Sequence, residues 1–379
     1  MADTMKYFQV NWVDGMKINK EHFISMDHSV TERLADARLS AIHRFNYGLL
    51  AAREGEDAPL RLNLSIDNQQ VLRIKVFECQ AVTPGGHRIA LSGSTEPREF
   101  KADLPEALYE WSPTREENIF ISLSVNPFKP QPTGIIDPAE EPPRHPFVMP
   151  EYRVHLLPES QVGKRESGLN LLMVGKIHIG ESGPELDKEY IPPCHSILSH
   201  SKLVALHTEF DRFLSALEPD LVTILKKIEE KEQTNILATT LASIAGPLLQ
   251  YLSTTILYFR WQVPVEPPLA MLEIIARSAR IMKNYLEASP GKAREELLNY
   301  LTEWCTLKQG DLESVLHRAV NFDYDHSDMM PAFQTMAEYA GLIGPLFSKL
   351  STLEYIGKKK ETSIFVKEQT VNKKSFLAD

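Results

Sequence analysis

The chain has 379 residues, of which 43% are hydrophobic and 24% charged, a balance that fits a folded protein of two or three domains. A net charge of −10 excludes a general nucleic-acid binder, which needs a clustered positive surface. Cys79, Cys194 and Cys305 lie far apart with no CxxC pair, which suits a reducing compartment and gives no disulfide framework.

The amino-terminal residues lack the apolar core of a signal peptide, so the expected location is cytoplasmic. Residues 6–13 alternate as a strand does, and Asp14-Gly15 marks a turn. From Glu21 a helix is predicted, with Phe23, Met26, Val30, Leu34, Ala37 and Ala41 on one face, ending near Asn46-Tyr47-Gly48. Strand-type runs follow at Leu60–Ile66, Val71–Val82, Arg88–Leu91, Ile119–Val125, Tyr152–Leu157 and Leu169–Ile179. Many short strands with turn-rich gaps predict a sandwich or barrel. Eight prolines crowd the 24 residues from Pro127 to Pro150. That stretch reads either as a stiff solvated excursion or as an arm lying on a neighbouring chain.

Tyr190-Ile191-Pro192-Pro193-Cys194-His195 divides the chain. Two consecutive prolines fix φ and remove two donors, so the segment belongs to neither a helix nor a central strand and reads as a stiff joint. Long helices follow. Leu203, Leu206, Phe210, Leu214, Leu217, Leu221, Ile224 and Ile228 form one stripe, with Pro219 a kink or restart. Glu232 and Arg260 bracket 27 residues without a charge, long enough to cross a bilayer. The many Ser and Thr, with Gly246-Pro247, favour instead a helix buried on several sides. On it, Leu237, Leu241, Ile244, Leu248 and Leu252 share a face. Met271, Ile275, Ala279, Met282 and Leu286 make a third stripe, and a shorter helix spans Ala293–Thr306. The last helix carries Met329, Phe333, Met336, Ala340, Ile343, Phe347 and Leu350 in a heptad seam. Ile244–Thr254 and Leu342–Thr352 agree at six of eleven positions, each with Gly-Pro, so either two matched bends nest or the match is accidental. Residues 358–379 hold six lysines against three acids, a solvated tail or a docking element.

No catalytic motif stands out. Asp323–Asp328 resembles the start of a calcium loop, but Asp328 stands where Gly is needed and Gln334 where Glu is, so Ser327 or Asp328 capping the last helix is the simpler role. His195, His200 and His207 are spaced five and seven apart, unlike zinc ligands on one helical face. Neither an enzyme nor a cofactor, metal or small-molecule substrate is expected.

Val10-Asn11-Trp12-Val13-Asp14-Gly15-Met16-Lys17-Ile18 followed by His22-Phe23 resembles the opening signature of the TssK family, baseplate subunits of type VI secretion systems. Asp14 stands for the usual Glu, Lys17 for an apolar residue, and Lys20-Glu21 for Pro-Gln. Leu186-Asp187 with Tyr190-Ile191-Pro192-Pro193, and Tyr324-Asp325-His326 with Asp328, are similar to two further markers in the same order. The resemblance spans about residues 6–353. It implies a cytoplasmic homotrimer at the inner face of the membrane, whose shell grips the wedge proteins TssF and TssG and whose helical neck packs on the three-fold axis. The family's C-terminal head has no counterpart in the 26 residues after Leu353. The expected architecture is therefore α+β: a β-sandwich-like shell with an N-terminal helix (1–190), a helical-bundle neck (191–355) and a lysine-rich tail (356–379) facing a membrane-anchoring complex. Trp12, Asp14, Gly15, Met16, His22 and Phe23 are expected at the wedge contact. Leu241, Ile244, Leu248, Leu252, Phe333, Met336, Ala340, Ile343 and Phe347 are expected in trimer or neck packing. A phage-like fibre or adhesin is the alternative, although the strand-connecting loops hold proline and charge rather than aromatics.

Overall fold

The structure is a computed structural model, and it describes residues 6–52, 58–66, 72–92, 98–102, 118–159, 168–180, 183–304 and 310–357. Cys305 and the lysine-rich tail lie outside the described residues. The fold is α+β, with nine strands among the described residues, in two antiparallel sheets, followed by a helical bundle.

After helix α1 (Lys20–Leu39), the first sheet is built around β3 (Leu72–Val82). Leu72, Ile74 and Val76 point into the core while Arg73 and Lys75 point out, the period of two that makes a half-buried strand. β3 pairs along most of its length with β2 (Leu60–Ile66). It also pairs with β1 (Gly48–Leu49) and β4 (Arg88–Ser92) near its end, and with β5 (Arg98–Ala102) near its start. In the second sheet the order is β7 (Phe147–Pro158), β6 (Asn118–Thr133), β8 (Leu171–Gly180) and β9 (Gly183–Leu186). Ile119, Ile121, Leu123 and Val125 of β6 join the first sheet's residues in one core, and Phe120 on the other face meets Leu157, Met173 and Tyr190.

The structure departs from expectation in four places here. α1 ends at Leu39 rather than near Asn46-Tyr47-Gly48. Residues 6–13 form no strand among the described residues, and β5 and β9 arise without a strong apolar pattern. The proline-dense stretch is not a structureless loop: β6 and β7 continue into it as a ribbon, with Pro130 opposite Pro150 and Thr133 opposite Phe147.

Four long helices make the bundle: α2 (Ser201–Glu230), α3 (Ile236–Trp261), α4 (Pro268–Ala288) and α7 (Met330–Thr352). The shorter α5 (Gly291–Trp304) and α6 (Asp311–Val320) lean on it. α6 is an addition to the sequence reading, and α2 runs through Pro219 without a break. α2 and α4 each pack against both α3 and α7, so α3 and α7 face each other across the diagonal. Their Gly-Pro turns therefore do not nest side by side. Leu241, Ile244, Leu248 and Leu252 of α3, with Phe333, Met336, Ile343 and Phe347 of α7, are buried inside this chain's own bundle, and Ala340 is half-buried. Truncating such a side chain removes its transfer free energy and leaves a void. Leu248→Ala is expected to cost about 2–5 kcal/mol, read as a lower denaturant midpoint.

The joint between sheets and bundle is buried from Tyr190 to Cys194. The prolines offer no donors, so the partners come from β1: Leu49 N–H donates to Pro193 O (2.8 Å), and His195 N–H donates to Leu49 O (2.8 Å). Gly48 makes this approach possible, with φ +119° and space so tight that a Cβ would fall 2.0 Å from Pro193 O. The loop before α7 closes the knot from the other side. Tyr190 Oη donates to Ser327 O (2.7 Å), and Lys176 of β8 pairs with Asp328 (2.8 Å). His326 is buried. Its Nε2 faces Tyr47 O (2.9 Å), a carbonyl that can only accept, so Nε2 carries the proton and Nδ1 accepts from Tyr324 Oη (2.7 Å). Ser327 and Asp328 thus cross-link the two parts rather than cap α7, whose first turn has no side-chain cap.

Burial pushes His326 down to about 4. The unfolded chain binds this proton at the ordinary histidine pKa of about 6.5, so stability is full above that value and falls with pH toward 4. The loss from this group is on the order of 3 kcal/mol. Melting temperature is expected to drop across that window, and His326→Gln should flatten the slope while lowering stability at neutral pH. An unchanged slope in the variant would remove His326 as the cause.

Candidate protein–protein interface

The segment before α1 has no regular secondary structure yet is pinned. Lys6 and Tyr7 N–H groups donate to the Glu32 carboxylate (2.8 and 2.7 Å). The Tyr7 ring stacks on Phe128 at 4.5 Å and meets His28 edge-on at 4.8 Å. Met16 N–H donates to Val13 O (3.2 Å), closing the turn that Gly15 allows with φ +79°. Asn19 caps α1 by accepting from His22 N–H (3.3 Å), and His22 Nδ1 accepts from Asn19 N–H (3.2 Å). The His22 ring in turn stands edge-on to Trp12 at 6.0 Å. Trp12, Asp14, Gly15, Met16, His22 and Phe23 therefore gather around one turn and one helix start.

Their exposure is the notable point: Trp12 is 47% and Phe23 51% exposed, although both are large and apolar. The face that α1 turns inward buries only small residues completely, with Ile24, His28, Thr31 and Glu32 half-buried around them. Ser29 and Ala35 are its only buried ones, and Arg38 Nη1 reaches Gly86 O (3.2 Å). The stripe read from the sequence on one face of this helix, Phe23, Met26, Val30 and Leu34, points to solvent. With Phe8, Trp12, Val13 and Ile18 it leaves on the order of 700 Å² of apolar surface uncovered, close to one side of a standard protein interface at roughly 800 Å². Beside the stripe runs a half-open groove of about 340 Å³ between α1 and the base of the β6–β7 ribbon. Ile24, Leu34, Arg38, His87, Val148 and Pro150 are among its walls. Burial, and then the Arg38 charge, hold His87 below the ordinary histidine range.

A second open face lies on α3. The helix is long and apolar enough to cross a membrane by length and composition, but its Leu241–Phe259 side is packed in the bundle. Its outer side carries Thr239, Ser243, Ser253 and Thr254, whose hydroxyls all donate to carbonyls one turn back. It ends in Leu257, Tyr258 and Trp261, the last 74% exposed, with Val265 just beyond. Sequence reading missed Trp261 because it sits opposite the stronger Leu241–Leu252 stripe.

Other candidates have structural roles. His200 Nδ1 accepts from Lys202 N–H (3.2 Å) at the start of α2, and His207 stacks on Phe259 at 4.6 Å. His195 Nδ1 faces Asn46 O. Cys79 and Cys194 are buried free thiols, and burial pushes Cys79 up to about 12. Among the described residues no group of three or more His, Cys, Asp or Glu could hold a metal.

No protein-family model matches the sequence, and no curated protein matches it. Among solved structures, the chain is similar to a crystal structure of TssK at 14% identity, covering 91% of this chain and 68% of that one, with a TM-score of 0.49. It is similar to TssK from the EAEC type VI secretion system in complex with a nanobody, at 14% identity over 85% of this chain and 97% of that one (TM-score 0.46). It is also similar to a chain of the TssK–TssF–TssG baseplate subcomplex, at 15% identity over 90% of this chain and 100% of that one (TM-score 0.44).

Proposed function

We propose that this chain is a structural subunit of a type VI secretion baseplate: a homotrimeric adaptor that joins the wedge proteins TssF and TssG to a membrane-anchoring complex. It works in the cytoplasm against the inner face of the membrane and performs no catalysis. The observation that carries the reading is the state of the amino-terminal marker. Trp12–Phe23 is braced by its own hydrogen bonds and leaves its aromatic side chains to solvent, the combination a preorganised protein contact needs. The two other markers, around Tyr190 and Tyr324, meet at the buried joint and hold that platform to the bundle. In this reading residues 1–190 are the shell, 191–355 the neck and 356–379 a docking tail.

Exposed side chains contribute little to folding, so Trp12→Ala and Phe23→Ala should change stability by no more than about 0.5 kcal/mol. Each is expected to weaken capture of co-expressed TssF–TssG by about 30-fold, the effect of losing an interface anchor of about 2 kcal/mol. Folded variants that capture the wedge normally would leave the platform without this role.

The α3 outer face is the proposed trimer seam, since it lacks charge and ends in Leu257, Tyr258 and Trp261. Light scattering should give three times the 43.0 kDa chain mass, and Trp261→Glu should shift it toward one. A stable 43.0 kDa species for the unmutated chain at micromolar concentration would overturn the trimer.

A further inference from the structure

The β6–β7 ribbon beyond the Asn126/Pro130 irregularity packs on nothing at its tip, yet it is stiffened throughout. At its base Lys129 and Arg153 both pair with Glu151 (3.0 and 2.9 Å). At its tip His145 Nδ1 donates to Gly134 O (2.8 Å), Asp137 accepts from Ala139 N–H (2.9 Å), and Arg144 pairs with Glu140 (2.8 Å). Three apolar side chains stand out at the tip, Ile135 (92% exposed), Ile136 and Phe147, while Val148 lines the groove at the ribbon's base. Proline is accommodated in a paired strand only where its nitrogen faces away from the partner, so Pro130, Pro132 and Pro150 strip donors from the ribbon's outer edges. The arm cannot dock by adding a strand to another sheet. It docks by its side chains.

We infer that this arm seats its Ile135–Phe147 tip on the α1 stripe and adjoining groove of a second copy of the chain. Three observations select that occupant. Met26, Val30 and Leu34, 38–51% exposed, leave the receiving stripe apolar and uncovered. The charges are complementary: the tip carries Asp137, Glu140 and Glu141 against Arg144, while the groove holds Arg38 and Arg88 against Asp27. The chain's own Ile135 and Phe147 are 92% and 68% exposed, so its tip does not cover its own groove. Tip and stripe are different surfaces, so the contact is head-to-tail and closes when the copies form a ring. It uses the Met26–Leu34 end of α1 and leaves Trp12–Phe23 free, so it stands or falls independently of the wedge contact.

The test places a photo-reactive benzophenone amino acid at position 135 of the full-length protein, mixes copies bearing two different tags, and irradiates the mixture. The expected product joins the two tags, with its cross-linked peptide inside residues 20–39. Leu34→Glu in the receiving copy should cut the yield at least fivefold. Asp137→Lys with Glu141→Lys should cut it several-fold at low salt and less at high salt. Leu34 is exposed, so this variant still folds; circular dichroism and melting temperature check that it does. A product confined to one chain, one mapped outside residues 20–39, one unaffected by Leu34→Glu, or no product would each overturn the inference.

Discussion

The structure depends on how the backbone is satisfied at the joint. Pro192 and Pro193 bring carbonyls into a buried place with no N–H groups of their own. Buried carbonyls need donors, and here Leu49 supplies one at the cost of a glycine at position 48. That single contact draws the chain after α1 against the entrance to α2. The loop before α7 follows, because His326 finds its acceptor at Tyr47 and Tyr190 finds its acceptor at Ser327. Segments near residues 47, 191 and 326 are thereby fixed together, and the apolar core runs without a gap from the sheets into the bundle. A force applied to one part is carried to the other through packed side chains rather than through a hinge.

With the interior closed in this way, the apolar residues left outside are not remainders of an incomplete core. Leu248, Phe259, Phe333 and Phe347 are fully covered within one chain. α1 presents Phe23, Met26, Val30 and Leu34 outward because Ser29 and Ala35 let its opposite side approach Gly86 closely. Turning the helix to bury the stripe would push large side chains into that narrow space.

Much of the fold was legible in the sequence, for reasons that also mark where legibility ended. Strong periodicity located β2 and β3 and the faces of α2, α4 and α7, since a period of 2 or about 3.6 reports burial on one side. The same logic placed α1's stripe on one face but left its direction open, because periodicity does not say whether a face meets its own core or another molecule. β5 and β9 escaped for lack of alternating apolar residues, and α6 for its shortness. The ribbon escaped because eight prolines read as loop, whereas pairing survives where their nitrogens face outward. Of the candidate sites, Trp12–Phe23 was visible through its resemblance. Trp261 was not, because it shares a helix with a stronger stripe.

The outer face of α3 shows what chemistry an associating helix needs. A charge there would have to be desolvated on contact, which costs several kcal/mol when unpaired. Hydroxyls carry the same liability on a smaller scale, unless they are already bonded. Thr239, Ser243, Ser253 and Thr254 each donate to a carbonyl of their own helix, so covering them strands no donor. Such a face stays wettable while uncovered and loses little when covered. Leu257, Tyr258 and Trp261 at its end then contribute apolar area at about 25 cal/mol per Å², and Arg260 beside them is already paired with Asp211 (2.8 Å). The absence of charge over 27 residues is therefore a property of the surface of α3 as much as of its buried side. The buried side alone would have required only every third or fourth position to be apolar.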